Sequence, residues 1–128
     1  EIIGLDEGTD VKLTADRDLI YQAVFNLTDN AIKFTPQDGV ISYHVAREPD
    51  GLIHIAVKNT GKGIMPDELQ YVFDRFYKTD KSRSVNKEGT GLGLYIVKTI
   101  VDIHKGHIMV SSQPDEFTEF EMTFPPSL

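Results

Sequence analysis

A glycine-rich segment that follows a basic run constrains the fold of this chain more than any other feature. The basic run covers residues 78–88, and the glycines follow in Gly89-Thr90-Gly91-Leu92-Gly93. Glycines let backbone N–H groups approach an anion closely, while lysine and arginine side chains neutralise its charge. Residues 94–103 are predicted to form a helix, whose N-terminal dipole also favours an anion. The segment therefore predicts a phosphate-binding loop at the start of a helix.

Length and composition indicate one soluble globular domain over residues 1–128. Of the 128 residues, 40% are hydrophobic and 26% are charged, which is sufficient to bury a core. The absence of cysteine excludes a disulfide framework and a thiolate metal site. The net charge of −7 argues against nucleic acid as a partner, because a phosphate backbone requires a basic protein surface. No apolar run is long enough to span a membrane, and the first residues do not resemble a signal peptide.

Hydrophobic periodicity predicts two long helices, one short helix and about five strands. Asp16 is predicted to cap a helix from Arg17 to about Phe34, which Thr35-Pro36 ends. The short helix should begin near Pro66, and Gly106 should supply the left-handed residue after the helix at 94–103. The strands are predicted at 11–14, 40–46, 52–58, 107–112 and 118–124. Because hairpins dominate the connections, we expect a mixed, largely antiparallel sheet with the helices on one face.

The first long helix carries a polar stripe beside its apolar one. Gln22, Asn26, Asn30 and Lys33 recur at helical spacing, so three amides and one ammonium group share a face. Amide oxygens are neutral hard ligands that suit Mg²⁺, whose other ligands are commonly phosphates and water. A polar stripe alone usually indicates solvated surface, and glycine-rich strings are common in turns. In combination, the stripe and two glycine loops favour a site for a nucleotide and its metal.

Four motifs in order resemble those of the ATP-binding catalytic domain of sensor histidine kinases, within the superfamily that includes gyrase-type ATPases. The N box resembles residues 26–36, the first glycine box 59–64, the F box 72–78, and the second glycine box 89–94. The resemblance covers nearly the whole chain. It implies an α/β two-layer sandwich of the Bergerat type, in which a mixed, mainly antiparallel sheet of about five strands packs on three helices.

The resemblance also implies roles for individual residues. Asn30 and, more loosely, Asn26 would meet Mg²⁺ and the phosphates. Lys33 would contact phosphate oxygens and Lys78 the terminal phosphate, which makes Asn30, Lys33 and Lys78 the implied catalytic side chains. The other implied nucleotide contacts are Phe34 against the adenine, Asn59, Gly61, Gly63 and Ile64 near the base, and Thr90, Gly91, Leu92, Gly93 and Leu94 around the phosphates.

Residues 78–88 are expected to form a mobile lid that becomes ordered on the triphosphate. Their one branched apolar residue, Val85, provides too little buried surface to offset the entropy of ordering. Phe73, Phe76 and Tyr77 are expected to anchor the lid in the core rather than to contact the ligand.

The sequence departs from the family pattern at two places. Asn59 stands where the family usually has an aspartate that accepts the adenine amino group. An amide oxygen can accept the same hydrogen bond, but without the assistance of a charge, so binding can be weaker or less selective for the base. Phe117-Thr118-Glu119 stands where relatives often have Gly-Thr, at the usual water-mediated contact to adenine.

The implied function is that of an ATP-dependent protein histidine kinase in two-component signal transduction. The domain would hold MgATP and transfer its γ-phosphate to a histidine on a dimerisation and phosphoacceptor domain of the same protein, which would then serve a response regulator receiver domain. Here no histidine precedes an acidic residue, as the phosphoacceptor histidine does. We therefore expect the acceptor, dimerisation helices and sensor to lie outside these residues, and structural roles for His44, His54, His104 and His107. The chain is expected to be monomeric and to form a cytoplasmic part of a membrane-anchored sensor.

Three other functions remain open at the level of sequence. The first is a gyrase-type ATPase, in which a glutamate one helical turn before the metal-binding asparagine activates water. That position is Asn26 here, and an amide cannot act as a base, so hydrolysis should be slow. A nucleotide-gated interaction module without phosphotransfer would be compatible with the change at Asn59. A protein serine kinase of the anti-sigma type would use a serine of a separate protein.

Overall fold

The computed structural model describes the backbone of residues 2–3, and residues 16–74 and 92–125. The strands are β1 (Ile2–Ile3), β2 (Ile41–Arg47), β3 (Ile53–Thr60), β4 (His107–Gln113) and β5 (Phe117–Phe124). The helices are α1 (Arg17–Phe34) and α2 (Gly93–Ile103). No helix in these ranges combines the length and the apolar content needed to cross a membrane.

The predicted fold class is confirmed. The five strands form one sheet in the order β1-β2-β3-β5-β4, in which β1 is parallel to β2 and all other neighbours are antiparallel. The fifth strand is β1, which the sequence did not predict; the predicted strand at 11–14 lies outside the described residues.

The predicted third helix near Pro66 is instead a single 3₁₀ turn at Leu69–Tyr71. The segment around it is held by backbone hydrogen bonds between residues three apart. The amide of Glu68 donates to the carbonyl oxygen of Met65, that of Tyr71 to Glu68, and that of Asp74 to Tyr71. A segment this short cannot offset the cost of nucleating an α-helix, and such turns satisfy its backbone groups locally.

Local sequence determines both ends of α1. The Asp16 side chain accepts a hydrogen bond from the Leu19 amide at 3.1 Å, which is the predicted cap. At the other end the amide of Thr35 donates to Ala31 at 2.9 Å, and the backbone of Thr35 is already extended before Pro36. The predicted boundaries, Arg17 and Phe34, are confirmed.

The end of α2 differs from the prediction in one residue. The left-handed residue is Lys105, with φ 59°, rather than Gly106. The amide of Lys105 donates to Asp102 and that of Gly106 donates to Val101, a pair of bonds that closes a helix around a left-handed residue. Gly106 is required for a different reason: a Cβ there would lie 2.4 Å from the carbonyl oxygen of Thr123 in β5.

The inner face of the sheet, which packs on α1 and α2, is apolar except at one end. Two complete cross-strand rows are apolar: Val45, Ile55, Met122 and Ile108, then Tyr43, Val57, Phe120 and Val110. The next row contains Ile41, Asn59, Thr118 and Ser112. We call Asn59, Thr118 and Ser112 the polar row. Buried polar side chains on a core-facing surface require partners and commonly mark a functional site.

His104 joins the two helices, in agreement with its expected structural role. Its Nδ1–H donates to the Ile100 carbonyl oxygen at 2.8 Å, and its Nε2 accepts from the backbone amide of Asp16 at 3.1 Å. The imidazole also packs edge-on against Phe124, with 6.0 Å between ring centroids.

We expect His104→Ala to lower the free energy of unfolding by about 1–3 kcal/mol, because it removes two hydrogen bonds and a packed ring. Urea denaturation measures this change. His107→Ala is the matched control, since His107 is exposed on the outer face of β4, and it should remain within about 0.5 kcal/mol of the wild type. Equal stability of the two variants would contradict the assignment of His104 as a link between the helices.

Candidate functional site

The polar stripe of α1 contacts the beginning of α2. The Asn26 side-chain nitrogen donates to the carbonyl oxygen of Gly93 at 3.4 Å. The Asn26 oxygen accepts from the side-chain nitrogen of Gln22 at 2.9 Å. The first and last of the four motifs, which are far apart in sequence, therefore meet at this point.

Asn30 and Lys33 continue the same stripe toward the end of α1. Lys33 forms an ion pair with Asp29 at 2.9 Å, with both side chains more than two-fifths exposed. An exposed pair within one helix contributes little, so Lys33 can exchange its partner for a phosphate at low cost. Asn30 is partly exposed one turn beyond Asn26. These side chains offer amide oxygens and one cation on a single helix face.

The first glycine loop fits closely between α1 and the sheet. A Cβ at Gly61 would lie 2.8 Å from the Phe34 carbonyl oxygen, and Gly61 has φ 151°. A Cβ at Gly63 would lie 2.6 Å from the Ser112 hydroxyl, and φ there is 76°, which favours glycine. Beyond it, the Ile64 amide donates to the same hydroxyl at 2.7 Å. The loop therefore approaches both neighbours as closely as its backbone permits.

Asn59 lies in β3 rather than after it, because the strand continues to Thr60 instead of ending at Lys58 as predicted. Its side chain is 5% exposed on the inner face. The side-chain nitrogen donates to the carbonyl oxygen of Thr60 at 3.1 Å. Since a carbonyl can only accept, this bond orients the amide and leaves the Asn59 side-chain oxygen as an acceptor.

The N-terminus of α2 carries no side-chain cap at Leu92. The first amides of a helix, here those of Gly93 and Leu94, have no partner within the helix. Among the described residues no atom lies within 4 Å of a Cβ built at Gly93. The remaining predicted contacts of this region lie outside the described residues: Lys78, Thr90, Gly91 and the lid at 78–88, together with Phe76 and Tyr77.

Phe73 is described, and it packs in the core as expected for an anchor. Its ring meets that of Phe120 edge-on, with 5.9 Å between centroids.

Sequence reasoning missed Ser112, and it named Thr118 only as part of the departure from the family pattern at residues 117–119. Thr118 is 6% exposed beside Asn59, and its hydroxyl oxygen lies 3.3 Å from that of Ser112. The alternation of β5 carries a signal for this, because Thr118 falls on the same face as the apolar Phe120 and Met122. A polar residue on an otherwise apolar face distinguishes a site from ordinary core.

A cleft of about 620 Å³ lies beside the first glycine loop, on the side of the end of α1. Its lining shares Lys33, Phe34 and Gly61 with the candidate site and adds charged residues of both signs. The full lining is Lys33, Phe34, Thr35, Pro36, Asp38, Gly39, Thr60, Gly61, Lys62, Asp115 and Glu116. The cleft therefore borders three of the predicted nucleotide contacts.

The donor set fits a magnesium ion that arrives with a nucleotide. The described residues contain no group of three or more histidine, cysteine, aspartate or glutamate side chains that could hold a metal on their own. The side-chain oxygens of Asn26 and Asn30 would supply only a partial shell of ligands. Mg²⁺ commonly completes such a shell with substrate phosphates and water.

Comparison with known proteins agrees with the assignment of a nucleotide-binding fold. Residues 15–128 match the family of histidine kinase-, DNA gyrase B- and HSP90-like ATPases. The chain is 43% identical over 113 residues to the sensor protein SrrB of Staphylococcus aureus (strain MRSA252), which covers 88% of this chain and 19% of SrrB. The chain thus spans about a fifth of the length of the curated relatives that it matches.

Two solved structures are similar over most of the chain. The mycobacterial sensor histidine kinase MprB gives a TM-score of 0.76 at 30% identity, over 90% of this chain and 78% of that one. Full-length ShkA in complex with AMPPNP gives a TM-score of 0.74 at 29% identity, over 87% of this chain and 22% of that one. With the family match, the fold and the four motifs in agreement, this chain belongs to the histidine kinase-, DNA gyrase B- and HSP90-like ATPases, as a sensor histidine kinase ATP-binding domain.

Proposed function

We propose that this chain binds MgATP and transfers the γ-phosphate to a histidine on a separate dimerisation and phosphoacceptor domain of the same protein. The contact between Asn26 and Gly93 carries the proposal. It sets a row of amide ligands against a helix N-terminus, so a metal and the phosphates it bridges would have adjacent partners. The similar protein ShkA, solved with AMPPNP, supports an ATP-type ligand.

The division of roles follows from the chemistry of each group. Asn30 and Asn26 would hold Mg²⁺, which when bound offsets the negative charge of the phosphates. Lys33 and Lys78 would neutralise phosphate oxygens, and the amides of 90–94 would donate to them. Phosphoryl transfer depends mainly on such positioning and charge neutralisation.

Hydrolysis of ATP by this chain should be slow. Asn26 occupies the position of the base in gyrase-type ATPases, and its hydrogen-bond partner Gln22 is also an amide. Neither group can take a proton from water at neutral pH. This contact favours transfer to a separate acceptor over a water-activating ATPase.

The partners follow from the same proposal. The phosphorylated histidine would pass its phosphoryl group to the receiver domain of a response regulator, in a two-component system. The similarity to the sensor protein SrrB supports a place in a sensor protein. We propose further that the chain forms the cytoplasmic catalytic part of a membrane-anchored sensor.

The test uses the chain with an added phosphoacceptor domain of the same parent protein. Calorimetry should show binding of MgATP, and [γ-³²P]ATP should label the acceptor histidine only when the chain is present. The chain alone should not become labelled. Binding without transfer would favour the nucleotide-gated interaction module, and labelling of a serine would favour the serine kinase.

Asn59→Asp should retain or tighten ATP binding and increase selection against GTP by about 0.5–1.5 kcal/mol, because a carboxylate makes a stronger bond to the adenine amino group. The same change removes the donor to the Thr60 carbonyl, so the unfolding free energy should fall by about 1 kcal/mol. Competition between ATP and GTP measures the first effect and urea denaturation the second.

Gln113→Glu is the control for added charge, since Gln113 is exposed at the end of β4. It should leave the ratio of ATP to GTP affinity unchanged. If Asn59→Asp also leaves that ratio unchanged, the base does not contact Asn59.

A further inference from the structure

The polar row presents three adjacent side chains whose protons can be assigned. Ser112 pairs with Thr118 across β4 and β5, and Thr118 pairs with Asn59 across β5 and β3. Paired residues of neighbouring strands point to the same face, so these three side chains stand side by side on the inner face. Together they form the end of the sheet that lies under the first glycine loop.

The single proton of Ser112 is already committed. Its hydroxyl accepts from the Ile64 amide at 2.7 Å and donates to the Phe117 carbonyl oxygen at 2.8 Å. A hydroxyl has one proton and two lone pairs, and a carbonyl cannot donate. In the 3.3 Å contact with Thr118, the proton must therefore come from Thr118.

Thr118 consequently offers lone pairs, and no donor, to anything bound beside it. Asn59 adds a second acceptor, because its nitrogen is oriented toward the Thr60 carbonyl, which leaves the side-chain oxygen on the other side of the amide. Both side chains are about nineteen-twentieths buried, so competing water is scarce. The row thus presents two neighbouring acceptors in a poorly solvated position.

We propose that Ser112 is a positioning residue for base selection, which holds the proton of Thr118 and so leaves Thr118 as an acceptor beside the side-chain oxygen of Asn59. This pair of acceptors suits the two N–H groups of a 6-amino purine and opposes the carbonyl oxygen of a 6-oxo purine. A site with buried polar groups that would remain unpaired rejects the wrong ligand strongly. This inference rests on the proposed binding of a nucleotide.

The close packing of the loop on Ser112 keeps this arrangement fixed. With a Cβ of Gly63 only 2.6 Å from the Ser112 hydroxyl, nothing larger than a glycine fits above it without movement. The bond from the Ile64 amide ties the loop to the same oxygen. Ser112 therefore couples the position of the glycine loop to the orientation of Thr118.

The experiment compares three triphosphates by calorimetry with Mg²⁺: ATP, inosine triphosphate, and purine riboside triphosphate, which has no group at C6. In the wild type, inosine triphosphate should bind less tightly than purine riboside triphosphate, since it adds repulsion to the loss of the amino group. Ser112→Ala frees the proton of Thr118 to donate to the base. The ratio of the two dissociation constants, inosine triphosphate over purine riboside triphosphate, should therefore fall about three- to tenfold. Ser111→Ala, on the exposed outer face of β4, is the matched control and should change nothing.

A double-mutant cycle separates positioning from a structural effect. Thr118→Val should itself lower the ratio of the dissociation constants of inosine triphosphate and purine riboside triphosphate. Ser112→Ala should cause no further change in the Thr118→Val background, because Ser112 acts through the hydroxyl of Thr118. An unchanged ratio in Ser112→Ala, or an effect that persists with Val at 118, would overturn the role of Ser112 while the proposed function stands. Failure of the wild type to bind any of the three would overturn the proposed function and this inference with it.

Discussion

Replacement of Asn30 by aspartate is expected to weaken MgATP binding at least tenfold. Asn30 follows Asn26 by one turn on the stripe that contacts the start of α2, in the position proposed to meet the metal and the phosphates. A carboxylate there repels the phosphates by about 3–4 kcal/mol at 5 Å and an effective dielectric of about 20, of which attraction to Mg²⁺ returns a part. A net loss of about 1.4 kcal/mol already corresponds to a tenfold change.

Calorimetry of MgATP measures the effect of Asn30→Asp, with circular dichroism to verify that the variant is folded. Gln113→Glu makes the same amide-to-carboxylate change on the exposed outer face of the sheet and should bind MgATP like the wild type. Equal affinities of Asn30→Asp and the wild type would rule out contact between Asn30 and the metal.

Gly106→Ala is expected to lower the free energy of unfolding by about 2–4 kcal/mol, the largest stability effect proposed for this chain. The added Cβ would lie 2.4 Å from the Thr123 carbonyl oxygen and 3.2 Å from Phe124 and Val101. The first of these atoms belongs to a central strand, where the backbone cannot move without disturbing its pairing with β3 and β4.

The matched control for this substitution is Gly93→Ala. A Cβ there meets no described atom within 4 Å, and alanine is a better helix former than glycine, so stability should be unchanged or slightly raised. Urea denaturation of both variants provides the comparison. A Gly106→Ala protein as stable as the Gly93→Ala protein would show that α2 can move away from β5 without loss.

The sequence by itself determined the features that depend on neighbouring residues. Asp16 and Thr35-Pro36 define the ends of α1, because a cap and a proline act within one turn of the chain. The hairpin between β2 and β3 follows in the same way from Gly51, whose φ of 91° a glycine tolerates. The order of the motifs indicated the family and, with it, the two-layer sandwich.

The tertiary structure alone decided which distant residues meet. The pairing of Ile2–Ile3 with β2 joins segments about forty residues apart, and no local pattern encodes such a pairing. The closeness of Gly106 to the Thr123 carbonyl oxygen likewise depends on the pairing of β4 with β5, in which the next residue, His107, lies opposite Thr123.

The candidate site divides along the same line. Sequence identified the amides of α1 and the glycines of the loop, because helical spacing and glycine content are local properties. The polar row depends instead on the register of three strands. The orientation of its side chains depends on hydrogen bonds to the carbonyl oxygens of Thr60 and Phe117. Register is set by the whole sheet and its packing on the helices, so the direction of those hydrogen bonds emerges only once the chain has folded.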